Sequence, residues 1–344
     1  MLVFVARRMI MAAFSIWVMS VIAFTIIQLP PGDAVDAYID DMMEQAAMGG
    51  GSHGQFAKER ADALRAYAGL DKPYVQRYVV WVYRMVVHLD FGYSFIRRGT
   101  SGATMIKVTE LIQDRLWLTI MLSAVTGLAG FFLSFPLGIY AAVRKNGLDE
   151  YCLTFIGFIG LSIPDFLFGL VLMYIGFAWF NWSVGGLFSG EMEYEPWSVA
   201  KFVDMMKHLW VPVVIMGTSG LAGGIRILRN NLLDQMRMPY VVTARAKGLQ
   251  GWKVILKYPL RIAMNPAISG FGSLIPGLLG SSVIISIILS LPTLGPILLD
   301  ATLYQDVYTA GFAILMMGIL TIIGVLLSDI MLVIVDPRIK MWKD

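Results

Sequence analysis

Six long apolar stretches, separated by polar loops, are the feature that most constrains how this chain can fold. Each is near or above the roughly 20 residues that a helix needs to cross about 30 Å of hydrocarbon. Because a backbone in lipid must satisfy its hydrogen bonds internally, the stretches predict transmembrane helices. The six predicted spans lie at about 9–29, 116–143, 152–180, 209–225, 267–291 and 310–335.

The composition supports the same class of protein. The chain has 344 residues, of which 57% are hydrophobic and 15% charged, and its mean hydropathy is +0.69. Soluble domains carry about 25% charged residues, so this chain lacks the polar surface of a water-soluble globule. The predicted fold class is therefore all-α, a polytopic membrane protein with about six transmembrane helices. The net charge of +3 argues against binding to nucleic acid.

The first apolar stretch has two interpretations. Arg7 and Arg8 precede it, as basic residues precede the apolar core of a signal peptide. Its apolar run is longer than the roughly 7–15 residues of such a core, and Leu29–Asp33 makes a poor cleavage site. We therefore interpret it as a retained transmembrane helix.

The distribution of basic residues predicts the orientation in the membrane. With the N-terminus inside, the inner segments hold more than half of the chain's 27 lysines and arginines. The 291–309 loop has no basic residue, and the 181–208 loop is acidic at 191–195. Loops rich in lysine and arginine stay in the cytoplasm, so both termini are predicted to be cytoplasmic. The long 31–115 segment is then extracytoplasmic.

The basic loop 226–265, between the fourth and fifth spans, is the strongest functional candidate. Pro239 suits the first turn of a helix and Gly248 the left-handed residue after its end, while Gly251 and Pro259 frame a second short helix. Contact with anionic lipid headgroups would explain about half of the loop's charges. Lipid contact does not explain these helix boundaries. They predict a rigid surface to which a soluble partner protein can bind.

Here the chain resembles a known family, the permease subunits of binding-protein-dependent ABC importers, and within it the peptide/nickel branch. The central motif is Val242–Gly248, followed by Arg261–Pro266. The resemblance runs along the whole chain. Further motifs stand in the order typical of that branch: Arg7–Arg8, Leu29–Asp33, Gly69–Pro73, Asp90–Ser94, Pro136–Gly138, Leu161–Pro164, Leu291–Gly295 and Asp336–Ile339.

The resemblance implies a fold and a mechanism. It implies the type I importer permease fold, with an N-terminal part at 1–115 (one helix and the long extracytoplasmic segment) and a five-helix core at 116–344. Its cytoplasmic coupling loop would seat on an ATPase subunit, so that closure of two ATPases moves the spans. The residues implied in this coupling are Tyr240, Thr243, Ala244, Arg245, Ala246, Lys247, Gly248 and Leu249.

Two positions depart from the family pattern. Val242 stands at the first signature position of the loop, which is often acidic across ABC importers and is arginine in this branch. Asn265 replaces the apolar residue that usually precedes the closing proline. Both changes leave the helix and its glycine terminator intact, so they put the strength of coupling in doubt rather than the family.

The implied partners are a second, homologous permease, two ATPase subunits, an extracytoplasmic substrate-binding protein and the lipid membrane. The chain has no phosphate-binding loop, since Gly49–Ser52 lacks the lysine such a loop requires. ATP and Mg²⁺ therefore belong to the partner subunits, and the chain is not itself an enzyme. No metal site is predicted, because His53, His88 and His208 lie far apart, and the single cysteine, Cys152, cannot form an internal disulfide.

Polar residues within the spans suggest a substrate path. Asp165 follows a proline in the third span, and a carboxylate at membrane depth usually faces protein or a water-filled cavity. Asp329 is interpreted as a structural acceptor near the cytosolic end. In the fifth span, Ser281, Ser282 and Ser286 would line a polar passage or equally allow tight helix packing.

The predicted function is transfer of di- or oligopeptides from a binding protein into the cytosol of a prokaryote, across its inner membrane. Two alternatives concern the cargo, which would be oligosaccharides or nickel complexes. A third alternative is an ion-coupled secondary transporter, although the internal repeats with broken helices of many such proteins are not visible. An intramembrane enzyme would require a reactive pair of residues that no span carries.

Overall fold

The computed structural model describes residues 2–29, 71–94, 106–180, 185–193 and 195–335, together with positions 35, 63, 65, 66 and 69. Side chains 2–6 and 271–282 are not described. The Gly49–Ser52 stretch, His53 and the terminal Asp336–Ile339 motif therefore lie outside the described residues.

Helices make up nearly all of the described chain. The helices are α1 Leu2–Gln28, α2 Tyr74–Val87, α3 Val108–Val143, α4 Leu148–Ser162, α5 Asp165–Phe180, α6 Val199–Met236, α7 Pro239–Ala246, α8 Gly251–Lys257, α9 Pro259–Ala263, α10 Asn265–Ile288, α11 Leu294–Leu303 and α12 Val307–Val335. Two short antiparallel strands, β1 Tyr93–Ser94 and β2 Ile106–Lys107, were not predicted from the sequence.

The long helices agree with most of the predicted spans. Helices α1, α3, α6 and α12 are long and apolar enough to cross a membrane, and the bent pair α4–α5 makes a fifth candidate. Helix α10 covers most of the fifth predicted span and has 24 residues, which at about 1.5 Å per residue is also sufficient length. Helix α6 starts ten residues before the predicted span and continues well past it, so that boundary was wrong.

The third predicted span is wrong as a single helix. The chain breaks between α4 and α5, and the two helices are bent by 100° relative to each other. Pro164 lacks the N–H that a continuing helix requires and disfavours helical geometry at Ile163, which is extended with φ −84° and ψ 123°. Pro136 and Pro212, by contrast, lie inside α3 and α6, which continue through them.

The chain divides into two compact units. The first comprises residues 1–8, 118–295 and 319–344, and the second comprises 9–117 and 296–318. The division at residue 115 that the sequence suggests stays a prediction.

Helix α6 is the central element of the first unit. It packs against α4, α5, α9 and α10. Glycines bring α4 and α6 close together, because a Cβ at Gly157 would lie 3.7 Å from the Ala222 side chain and one at Gly160 only 2.8 Å from that of Thr218. The apolar core of this unit includes the fully buried Met205, Leu209 and Ile215 of α6, together with Leu122 of α3 and Leu289.

The second unit contains a buried cluster of hydrogen-bonded polar side chains that accounts for the Asp90–Ser94 motif. The Asp306 carboxylate accepts hydrogen bonds from the hydroxyls of Ser94, at 2.9 Å, and Thr309, at 2.7 Å. Gly92 has a positive φ of 76°, and a Cβ there would lie 2.5 Å from the Tyr308 ring. Only glycine fits both the conformation and the space.

Candidate functional site

The predicted helix boundaries in the basic loop are confirmed. Helix α7 begins at Pro239 and ends at Ala246, and Gly248 has φ +77°. The Gly248 N–H donates to the Arg245 carbonyl at 2.9 Å, which closes the turn after the helix. Helix α8 begins at Gly251, and Pro259 opens α9. The loop is therefore three short helices in succession, with fixed turns between them.

An apolar cluster inside the loop holds α7 against α8. We name this the inner cluster; it consists of Val241, Ala244 and Val254, with Tyr240 and Tyr258 packed on it. Val241 and Val254 are fully buried. Because Val241 and Ala244 are three residues apart, they share one face of α7. The Tyr240 hydroxyl is fixed by donation to Gln235 Oε1 at 2.7 Å.

The inner cluster changes the role expected of two predicted coupling residues. Ala244 is among the residues that the family resemblance implies in coupling to the ATPase. Its side chain is instead buried within the loop, where it permits close approach of α8. Tyr240 likewise packs on the inner cluster. The remaining six residues of the predicted set, Thr243, Arg245, Ala246, Lys247, Gly248 and Leu249, are exposed.

The exposed side of the loop combines apolar and basic side chains. Val242 is 60% exposed and Trp252 61%. Val242 therefore lies on this side, where the sequence analysis noted a departure from the family pattern. We name this surface the outer face; it consists of Val242, Thr243, Arg245, Ala246, Lys247, Leu249, Trp252 and Leu256.

A second apolar cluster ties the loop to the long helices. Leu228 and Leu232 of α6 and Leu260 and Ala263 of α9 are buried together with Ala142 at the end of α3. Ile255 of α8 packs on the same cluster. At the far side of α9, Arg261 Nε donates to the Val335 carbonyl at 2.6 Å, on the last residue of α12. The loop is thereby in contact with α3, α6 and α12.

Two ion pairs account for charged side chains whose role the pattern of apolar residues does not explain. Arg229 of α6 contacts the buried Glu150 of α4 at 2.8 Å, and this pair was not found by sequence reasoning. The only sequence signal was an arginine and a carboxylate at the polar ends of two apolar stretches. Arg8 forms an ion pair with Asp329 at 2.7 Å, and the interpretation of Asp329 as a structural hydrogen-bond acceptor stays a prediction.

The predicted path residues do not form one surface in the described structure. Asp165 begins α5, where a carboxylate suits the positive end of the helix, and the Ser219 hydroxyl lies 3.4 Å from it. Ser286 is fully buried, and its hydroxyl accepts from Thr293 at 2.8 Å. The side chains of Ser281 and Ser282 are outside the described residues. A role of these four residues in a passage stays a prediction.

A groove lined largely by glycine was not predicted. It lies between α3, α6 and α10 and encloses about 800 Å³, including space open to solvent. Half of its lining residues are glycines, so much of its wall is formed by backbone atoms. These glycines are Gly127, Gly130, Gly217, Gly220, Gly223, Gly224 and Gly270. Small residues of this kind allow close helix approach in membranes.

The described residues contain no group of three or more histidine, cysteine, aspartate or glutamate side chains that could hold an ion. His208 contacts the Asp204 carbonyl through Nδ1 at 2.9 Å, a local contact within α6.

A set of apolar spanning helices joined by a basic loop defines a multi-pass membrane protein. Residues 134–341 match the family described as binding-protein-dependent transport system inner membrane component, and the chain belongs to this family. The chain is the transmembrane permease component of an ABC transporter, a multi-pass inner-membrane protein distinct from the ATPase subunit.

Similar proteins cover the whole chain. The oligopeptide transport system permease protein AppB of Bacillus subtilis is 32% identical over 99% of this chain and 100% of its own length. The dipeptide transport system permease protein DppB of Escherichia coli K12 is 28% identical, with 100% of both chains covered. A solved chain of the inward-facing MetNI methionine ABC transporter is similar in fold, with a TM-score of 0.50 and 17% identity over 66% of this chain and 97% of that one. The predicted all-α importer permease fold is confirmed.

Proposed function

We propose that this chain imports di- or oligopeptides delivered by an extracytoplasmic binding protein, and that ATPase subunits drive it through the outer face of the 226–265 loop. The observation that carries the coupling proposal is the division of α7 into two sides. One side is closed by the inner cluster, and the other leaves Arg245, Ala246 and Lys247 exposed. Because one side of α7 is packed against the rest of the loop, its exposed side is suited to bind in a groove of a partner protein.

The chemistry of the outer face suggests how it is recognised. Val242, Leu249 and Trp252 offer apolar area that burial in a partner would stabilise, at about 25 cal/mol per Å². Arg245 and Lys247 offer donors for carboxylates or backbone carbonyls at the edge of that contact. An ATPase groove with an apolar floor and an acidic rim fits this combination.

The packing of the loop supports transmission of force. A push on α7 acts through the inner cluster on α8, and Ile255 of α8 passes it to the cluster formed with Leu228 and Leu260. Close-packed apolar contacts transmit small displacements because they are nearly incompressible. Closure of two ATPases would therefore move α3 and α6 together with the loop.

The cargo proposal rests on the relatives. Those in Bacillus subtilis and Escherichia coli are named for oligopeptide and dipeptide transport, and both match over the full chain. Oligosaccharides and nickel complexes are the alternative cargoes. We further propose that a second permease completes the passage, that two ATPases and one binding protein complete the importer, and that both termini lie in the cytoplasm.

The glycine-lined groove and the polar residues Asp165 and Ser286 are the candidate elements of the passage. A wall of backbone along Gly217 and Gly220 would accept the varied side chains of peptides without selecting among them. Selection would then belong to the binding protein.

Transport by the complete importer, reconstituted in vesicles, tests the function. We expect ATP-dependent uptake of a labelled dipeptide or oligopeptide in the presence of the binding protein. Unlabelled peptide should compete, whereas an oligosaccharide or a nickel complex should not. Uptake that follows an imposed ion gradient without ATP would contradict the proposal and favour the secondary transporter.

A further inference from the structure

A groove between α4 and α6 lies apart from the short helices α7, α8 and α9 of the coupling loop and from the glycine-lined groove. It encloses about 670 Å³, including space open to solvent. Its wall along α4 is mostly apolar, formed by Leu153, Gly157 and Leu161 at spacings of four residues, with Thr154 and Phe158 beside them. Along α6 it carries Arg226 and Arg229. A single groove therefore combines a hydrocarbon-like wall with two guanidinium groups.

The charges in this groove do not balance. No carboxylate in the described part of the chain lines it; the nearby Glu150 pairs with Arg229 at 2.8 Å and accepts from the Thr154 hydroxyl at 3.1 Å. Arg226 lies over the Phe158 ring at 5.5 Å and has no ion pair among the described residues. The Nε of Arg229 is enclosed, and the described residues offer it no hydrogen-bond partner. One positive charge and one buried donor are left for an anion.

The position of the groove fits the boundary between hydrocarbon and water. Helix α4 begins just after the polar turn at Arg144–Asn146, and α6 becomes polar from Arg226 onward. Deeper along the pair, Phe155 and Ile156 are exposed on α4, as expected of side chains that face lipid. The arginines are thus placed at headgroup depth and the apolar wall at acyl-chain depth. On the predicted orientation this boundary is the cytoplasmic one.

We propose that this groove binds one anionic phospholipid. Its phosphate would accept from Arg226 and from Nε of Arg229, while an acyl chain lies along Leu153, Gly157 and Leu161. Gly157 is central to the fit, because it lines the groove where α4 and α6 are close together, and a large side chain there would take up the remaining space. Basic pockets between membrane helices are known to select anionic headgroups in this way. A soluble phosphate would satisfy the arginines and leave the apolar wall exposed, so the lipid is the better fit.

Retained lipid in the complete importer tests the site. The probe is phosphatidylglycerol, present as a minority component of phosphatidylethanolamine vesicles, and the copies that remain bound after purification are counted by mass spectrometry. Arg226→Gln should lower retained phosphatidylglycerol about five-fold, the factor for one basic residue at a membrane surface. Arg237→Gln removes the same charge eleven residues further on, just after the end of α6 and outside the groove, and should leave retention unchanged.

A second pair of variants separates a specific groove from general attraction. Gly157→Leu fills the apolar wall while both arginines remain, and it should abolish retention; Ile156→Leu changes a neighbouring lipid-facing residue and should not. Equal losses in Arg226→Gln and Arg237→Gln would overturn the proposal, as would full retention in Gly157→Leu. Displacement by inorganic phosphate would identify a soluble-anion site instead. Absence of bound lipid from the unaltered complex would mean that another protein chain covers the groove.

Discussion

The two ends of helix α6 differ in the balance of polar and apolar contacts that fix them. At its start, the 185–204 segment is held by polar and charged contacts of Lys201 and Asp204, in addition to the buried Leu187. At its end, the 226–265 loop is held by apolar clusters and presents its charges outward. The stability of a segment fixed by a few polar atoms depends on each of those atoms. A segment fixed by apolar packing tolerates exchange of similar side chains, but it is destabilised when a charged group is buried in its interior.

The start of α6 depends on one ammonium group and one carboxylate. Lys201 is 7% exposed, donates to the Glu193 carbonyl at 3.0 Å and lies 4.8 Å from the centre of the Phe188 ring. It also donates to the Glu195 carbonyl. Asp204 accepts from the Ser189 N–H at 2.7 Å and from its hydroxyl. Since the backbone of the acidic segment is fixed by Lys201, its carboxylates remain free to face a partner.

The largest effect is expected at the apolar end, from Val254→Asp. The carboxylate would be buried in the inner cluster without a partner, at a cost of about 3–5 kcal/mol to the folded loop. ATP hydrolysis stimulated by substrate should be lost, and limited proteolysis should cut the loop. Val242→Asp introduces the same group on the outer face and should leave the loop resistant to protease. Equal cleavage of both variants would contradict the inner cluster.

At the polar end, Lys201→Ala should destabilise the 185–204 segment by about 1.5–3 kcal/mol, because the carbonyls of Glu193 and Glu195 lose a charged donor. Hydrogen exchange of this segment should accelerate, while that of the loop at the other end stays unchanged. Lys207→Ala, an exposed lysine on the same helix, is the matched control. Slow exchange in Lys201→Ala would show that packing, rather than the ammonium, fixes this end.

A smaller effect is expected for Gly248→Ala. Space is available for the added methyl, but the left-handed backbone at φ +77° disfavours it by about 1–2 kcal/mol. The exit from α7 should shift, and coupled ATP hydrolysis should fall. Gly251→Ala lies three residues further on, also in open space and without a positive φ, and should keep normal coupling. If the Gly248→Ala and Gly251→Ala variants had the same coupled ATP hydrolysis, the claim that Gly248 sets the direction of α7 would be wrong.

The smallest effect is expected for Ser198→Ala, which removes the side-chain cap of α6. The Ser198 hydroxyl accepts from the Lys201 N–H at 3.2 Å, and loss of such a cap costs about 1 kcal/mol. Hydrogen exchange should rise in the first turn of α6 alone. A change that reaches the 226–265 loop would show that the two ends are not independent.

Local signals in the sequence predicted the loop well, and contacts distant in sequence account for most of what was missed. Pro239 and Gly248 fix the limits of α7 through their own backbone geometry. The inward orientation of Ala244 depends on Val254, and the role of Arg229 depends on Glu150 far along the chain. The break at Pro164 was missed because the helices on both sides of it are predominantly apolar. A hydropathy profile therefore does not separate them and predicts a single span.

Cross-linking tests the central claim, that the outer face of α7 seats on an ATPase. A chain carrying Cys152→Ser would receive either Ala246→Cys on the outer face or Ala244→Cys in the inner cluster, and a benzophenone attached to the new thiol would be photoactivated in the assembled importer. We predict a covalent product with the ATPase subunit from position 246 and none from position 244. Products of equal yield from both positions, or none from position 246, would contradict the account.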